Sequence, residues 1–291
     1  MAFTLRIERK ESETGVRINF KQLLDNCNLE FGHDNEFYIL NEGMNERTAI
    51  LYNPNRIGRG IFFDARDIEE GVIVISYNIP TTSTEIDDFI NIAEELVQQM
   101  GEVILYCIEE EQEYTIDMLR SVKDQMVEFC IEKLNMFCAN KEYESYIYTL
   151  AKNPLVLTDE MVNKFEKCTD LDEFEQLLHD KQKLDIYYAK PRLLQKDNGM
   201  IGAFYTFTEE CESIFPVRAD GFIHADQIKA DEGFVRYYIF SEDRLMDGLY
   251  NYEKFIKYIL DNGAEYYDKE HIIVPSMDKA QIEAMAAVTL A

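Results

Sequence analysis

An α+β fold with mixed sheets is predicted by three features of the sequence. Short apolar runs alternate with period two, longer stretches repeat apolar residues every three or four positions behind hydroxyl caps, and one strand-helix-strand-helix order occurs twice. With 291 residues, 46% of them apolar and 12% aromatic, the chain has enough material for a large core, which excludes general disorder.

From the N-terminus, residues 3–9 (FTLRIER) alternate as a half-buried strand does, and INFKQLLDNC places Phe20, Leu23 and Leu24 on one helical face. EFYIL and TAILY read as short strands, after which Asn53-Pro54-Asn55 and Gly58-Arg59-Gly60 punctuate the chain. Residues 61–63 and 72–79 are expected to pair as neighbouring strands. Thr82-Ser83-Thr84-Glu85 then opens a helix, because a hydroxyl cap with an acid three positions on satisfies free N–H groups. Ile86, Phe89, Ile90, Ala93, Leu96, Val97 and Met100 form its buried stripe, which leaves Asp87, Asp88, Asn91, Glu94, Glu95 and Gln98 on the solvent side. Gly101 ends the helix in a left-handed conformation, EVILYCI is a strand, and Thr115 caps one long helix to about residue 137. Beyond it, residues 143–152 have helical spacing, and Thr158 and Thr169 each introduce a short amphipathic helix. Asn198-Gly199 marks a tight hairpin.

The strand-helix order returns near the C-terminus. Gly71 and Gly101 are 30 residues apart, as are Gly233 and Gly263, and the Gly60-Ile-Phe segment is echoed by Gly221-Phe-Ile. Two pseudo-repeated units are expected, at about residues 57–137 and 219–291, with a helical middle segment between them. The expected division is 1–140, an N-terminal α+β unit, and 141–291, the helical segment, the hairpin and the second α+β unit. The boundary is placed at residues 138–141, unless the repeat folds as one pseudo-symmetric body.

The formal net charge of -27 disfavours nucleic acid and anionic membranes, whose recognition needs clustered Lys and Arg. No apolar run reaches membrane-spanning length, and the six cysteines are scattered without a Cys-x-x-Cys pair. Both point to a cytoplasmic protein with reduced thiols. Half of the net charge lies between Arg66 and Arg120, where fourteen acids occur with no Lys, Arg or His. Residues 221–291, in contrast, mix thirteen acids with seven Lys or Arg. The helix acids Asp87, Asp88, Glu94 and Glu95 are therefore the candidate face for a basic partner.

Other chemistry is sparse. The four histidines have no zinc-binding spacing, and no nucleophile elbow, Walker loop or dinucleotide fingerprint occurs. His224-Ala225-Asp226 offers an oriented imidazole, weighed against an ordinary strand-edge histidine. Arg56, Gly58, Arg59 and Gly60 could form an anion-binding loop, since glycines let backbone N–H groups approach a ligand; the plainer reading is a turn feeding a strand. Glu109, Glu110, Glu111 and Glu113 are dense enough to suggest a cation, but strand side chains alternate and should splay apart. No metal or cofactor is expected. Of the tyrosine doublets 187-188, 237-238 and 266-267, one ring each should face the core.

RGIFFDARDIEEGVIVISYNIPTTSTEIDDFINI, GLYNYEKFIKYIL and YYDKEHIIVPSM resemble an uncharacterised family of low-GC Gram-positive bacteria, about 300 residues long and catalogued as a domain of unknown function. That resemblance implies a bacterial cytosolic protein and assigns no catalytic residue. The functional expectation is a non-enzymatic acidic binding protein for a basic partner. The alternatives are a small-molecule enzyme with a site between the two units, and a scaffold or assembly subunit.

Overall fold

The computed structural model describes residues 1–10, 17–32, 47–140, 147–148, 151–195, 197–220 and 230–291. His33, His224-Ala225-Asp226, EFYIL, Gly221-Phe-Ile and most of the expected helix at 143–152 lie outside them, and within that expected helix Ile147–Tyr148 is a strand instead. The chain divides into two units, Met1–Leu184 and Asp185–Ala291, so the division follows the helical middle segment instead of preceding it at 138–141.

Unit 1 contains β1 (Ala2–Arg9), α1 (Phe20–Cys27), β2 (Glu30–Gly32), β3 (Thr48–Tyr52), β4 (Ile61–Asp64), β5 (Val72–Asn78), α2 (Ser83–Met100), β6 (Val103–Cys107) and β7 (Gln112–Tyr114). It continues with α3 (Ile116–Ser121), α4 (Lys123–Ala139), β8 (Ile147–Tyr148), β9 (Leu155–Val156), α5 (Asp159–Phe165) and α6 (Asp172–Gln182). Its sheet runs β2-β3-β4-β5-β1-β6-β7, every described pairing antiparallel. The central strand β1 sets Leu5 opposite Ile75 of β5 and Cys107 of β6. Period-two alternation then sends Phe3, Leu5, Ile7, Ile73, Ile75, Tyr77 and Leu105 to one buried face, while Thr4, Arg6 and Ser76 lie on the other.

Against the buried face lies α2, capped as expected by Thr82, whose hydroxyl accepts the Glu85 N–H. Gly101 does take a positive φ of 83°, but with ψ at -131°. The Thr115 cap holds only the six-residue α3; the chain bends at Val122, and α4 starts separately.

Unit 2 contains β10 (Tyr187–Tyr188), β11 (Arg192–Gln195), β12 (Ile201–Thr208), β13 (Ser213–Pro216), β14 (Glu232–Ile239), β15 (Arg244–Leu245), β16 (Tyr250–Asn251), α7 (Tyr252–Asp261), β17 (Glu265–Tyr266), β18 (His271–Val274) and α8 (Lys279–Thr289). Two mixed sheets, β10-β13-β18-β17 and β11-β12-β14-β15 with β16 on β14, enclose an aromatic core of Tyr205, Phe207, Phe215, Tyr237, Tyr252 and Phe255. Buried phenols are expensive unless bonded; Tyr252 donates to the Pro216 carbonyl at 2.6 Å and Tyr205 to that of Ala219 at 2.9 Å. In each tyrosine doublet one ring is buried and its neighbour more exposed, as strand alternation requires. Asn198-Gly199 sits in the β11–β12 hairpin, with Gly199 at φ 85°.

The mixed α+β class is therefore observed, but the pseudo-repeat is not seen as a shared topology. In the first stretch β5 and β6 flank β1 in one sheet; in the second, β14 and β18 belong to different sheets. Gly101 and Gly263 share a positive φ after a helix, while Gly71 has φ 78° and Gly233 has none. What recurs is local glycine chemistry.

Candidate functional site

The four acids of α2 do not make a solvent face. Asp87 pairs with Lys123 Nζ at 2.5 Å and Glu94 with Arg120, both bases just at or beyond the end of the basic-free stretch. Glu95, 6% exposed, accepts from Asn26 Nδ2 at 2.9 Å, Gln99 Nε2 at 2.8 Å and Gln22 Nε2 at 3.3 Å, which ties α1 to α2. Those amide donors hold its carboxyl below the usual range. Asp88 is also 6% exposed. The expectation of a single outer side fails because α2 has the sheet on one flank and α1, α3 and α4 on others, leaving Asn91 and Gln98 exposed and Asp87 and Glu94 half-buried.

In the loop of Arg56, Gly58, Arg59 and Gly60 one backbone donor, the Gly60 N–H, meets an anion of the chain itself, Glu85, while neither arginine reaches it. The Glu85 carboxylate, 1% exposed, accepts from the Gly60 N–H and from the Thr81 hydroxyl. A Cβ on Gly58 would lie 2.4 Å from that carboxylate, so any larger residue there would make the Glu85 side chain shift. The rest of the loop is also engaged. Ile57 N–H donates to His179 Nδ1 at 3.2 Å, Gln182 Nε2 donates to the Gly58 carbonyl at 2.6 Å, Arg59 donates to the Pro80 carbonyl at 3.0 Å, and Arg56 donates to Gln176 at 3.1 Å. With Nδ1 accepting, the His179 proton sits on Nε2, and burial together with Lys183 lowers its tendency to charge.

One turn along α2, Asp88 is different. Its Oδ2 is buried with no hydrogen-bond partner. Burial pushes the carboxyl up to about 7, against a hydrogen bond from Asn53, and Glu85, Asp87 and Glu175 add repulsion. Glu85 and Asp88, one expected as a helix cap and one as a surface acid, are thus the buried polar centre of unit 1.

Among the acids of the stretch that stay exposed are those of the β6–β7 turn. Glu109 accepts from the Thr4 N–H and hydroxyl, both at 2.7 Å, and Glu110 accepts from Gln112 Nε2 at 2.6 Å and from the Tyr114 hydroxyl. Both are exposed and both line a cleft of about 520 Å³ with Phe3, Tyr77, Tyr114, Met126 and Phe129. Phe3 stacks on Tyr77 at 5.5 Å and meets Tyr114 edge-on at 6.4 Å, so the wall is a packed aromatic set. Burial and Glu110 push the Tyr114 hydroxyl up to about 12, which keeps it a donor. Glu111, at φ 53°, and Glu113 do not join them in the lining. Among the described residues no group of three or more His, Cys, Asp or Glu could hold a metal ion.

Unit 2 carries a polar relay that sequence reasoning missed. Asp268 accepts from the backbone N–H groups of Glu270 and His271 and from His271 Nδ1 at 2.8 Å; His271 Nε2 then lies 3.0 Å from the Tyr188 hydroxyl. In a neutral imidazole with Nδ1 donating, Nε2 accepts and the phenol donates. The Asp-x-x-His spacing of residues 268–271 is a signal that was there to find. All three side chains are buried, and burial raises the Tyr188 hydroxyl well above its ordinary value, so the relay stitches β10 to β18 as a structural network.

The fold and the cleft define a two-unit α+β protein with a carboxylate-rimmed aromatic site in its first unit. The chain belongs to the family described as Domain of unknown function (DUF4299), whose match spans residues 2–285. No curated protein and no solved structure matches it. No helix among the described residues is long and apolar enough to cross a membrane.

Proposed function

We propose that the chain is a non-enzymatic cytosolic binding protein whose unit 1 cleft receives a positively charged side chain, Lys or Arg, from a basic partner. The observation that carries this reading is the pair Glu109 and Glu110, fixed by hydrogen bonds at the rim of an aromatic pocket. A Lys or Arg side chain has the complementary form, an apolar stem for Phe3, Tyr77 and Phe129 and a cationic head for the carboxylates. The expected acidic recognition thereby moves from α2, whose acids are internally paired, to the β6–β7 turn. The cytosolic placement is supported by the six free cysteines.

Titration of the full chain with blocked arginine and lysine amides, followed by amide NMR, tests this. Shifts centred on Tyr114 and Phe129, saturable and weakened about two- to fivefold by Glu110→Gln or by moderate salt, are expected. A neutral isostere binding as well as the cations, or cation shifts spread over the surface without saturation, would overturn it.

A further inference from the structure

Among the described residues β7 is the edge of the seven-stranded sheet, and the same strand forms one wall of the cleft. In an antiparallel ladder the inward hydrogen bonds fall on alternate residues, so an edge strand turns every second N–H and C=O pair outward. Of Gln112, Glu113 and Tyr114, at least one therefore presents both groups away from β6. None of the described backbone hydrogen bonds outside the ladders uses any of the three. An open edge of this kind templates pairing with another chain, and natural sheets guard it by keeping the strand short and charged. β7 is three residues long, with Glu113 exposed on it and Glu109, Glu110 and Glu111 before it. That guard repels copies of this acidic chain, and it attracts an extended segment rich in Lys or Arg.

Side-chain geometry then links edge and cleft. Gln112 and Tyr114, two residues apart on one face of β7, both line the pocket, while Glu113 lies on the opposite face. A strand laid beside β7 would direct alternate side chains to those same two faces, about 5 Å from their neighbours on β7. One set would enter the pocket beside Glu110, and the other would pass Glu113.

We infer that the basic partner is recognised by strand addition: an extended segment with Lys or Arg at alternate positions pairs with β7 and sends one of those side chains into the cleft. The inference rests on the cleft reading above and specifies how the partner is held.

The test uses the full wild-type chain and blocked peptides, so no variant has to fold. A Lys-Val-Lys-Val-Lys peptide is compared with the single blocked lysine amide and with two N-methylated forms of the peptide, one methylated on the odd amides and the other on the even ones. All three peptides carry the same charge. Strand addition predicts that the parent binds at least about tenfold more tightly than the single amide, that one methylation pattern loses this gain and the other keeps it, and that amide exchange slows within residues 112–114. If the parent and both methylated forms bind alike, or both lose equally, strand addition is wrong while the cleft stands on the response to the single amide. If neither the amide nor the peptide moves the cleft resonances, the cleft reading itself fails.

Discussion

The carboxylates of α2 and those of the β6–β7 turn come from the same basic-free stretch, yet they do opposite things. On α2, Glu85 anchors a loop, Glu95 joins two helices, Asp87 and Glu94 pair with Lys123 and Arg120, and Asp88 is sealed in. At the turn, Glu109 and Glu110 are held by the fold but remain exposed beside an aromatic cleft. Charge of one sign in a sequence is therefore no measure of a surface; what decides is whether the folded chain supplies partners for it. Substitutions in the first set should move stability and leave cation binding alone, and substitutions in the second should do the reverse.

The largest effect is expected at Glu85. Glu85→Ala leaves the Gly60 N–H and Thr81 hydroxyl buried without their acceptor and opens a space behind Gly58, a loss of about 4 kcal/mol. Unfolding followed by exchange of α2 amides in urea would measure it for unit 1 alone. A loss under about 1 kcal/mol would mean that the loop does not depend on its internal anion.

Asp88 should act in the opposite direction and with pH. Its ordinary value is 3.8 and its folded value is about 7, so between them the folded protein keeps a proton that the unfolded chain releases. Stability contributed by the protonated form is then lost as pH rises through that window, and it levels off above it. The groups facing Asp88 do not reverse this: Asn53 is neutral, Glu85, Asp87 and Glu175 are acidic, and Cys27 on α1 is a thiol that burial and neighbouring Glu95 push up to about 12. Asp88→Asn should therefore gain about 2–3 kcal/mol at pH 8 and little at pH 4. Thermal melts across that range would show the wild-type slope and its flattening in the variant; parallel slopes would remove Asp88 as its source.

Much of unit 1 was legible because its signals are local. The Thr82, Thr115 and Thr158 caps are settled within one helical turn, and the pairing of β4 with β5 follows from two adjacent apolar runs. The loop itself was also visible from its glycines, although its arginines turn to Pro80 and Gln176 and not to the anion. What it binds was not, because Glu85 lies 25 positions away and looks like an ordinary capping acid. Glu109 reaches Thr4 across 105 positions, so no spacing rule could show that two of four adjacent glutamates share a cleft. The burial of α2 on several flanks likewise depends on α1 and α4, whose docking periodicity does not encode. The apparent repeat failed for the converse reason: matching glycines recorded local turns, and sheet membership is decided by distant partners.

Glu95 offers a smaller version of the same comparison. Glu95→Ala removes the acceptor shared by Asn26, Gln22 and Gln99, whose amides can turn partly to water, so a loss of about 1–2 kcal/mol is expected, with faster amide exchange in α1 than in the sheet. Equal acceleration in both would show that α1 is not held through this contact.

The smallest stability effect belongs to the turn. Glu110→Gln keeps an oxygen that can accept from the Tyr114 hydroxyl and from Gln112, and it sits in an exposed turn, so its unfolding midpoint should stay within about 0.5 kcal/mol of wild type. It removes one of the two charges that line the cleft, and relieving the nearby carboxylate should lower the Tyr114 hydroxyl from about 12 part of the way toward its ordinary value. An ultraviolet titration of the phenols gives that shift without any ligand. A variant that melts normally, ionises Tyr114 more readily and takes up the blocked arginine amide more weakly would separate the binding carboxylate from the structural ones on α2. A variant that melts several degrees lower would instead place Glu110 among the acids the fold needs for itself.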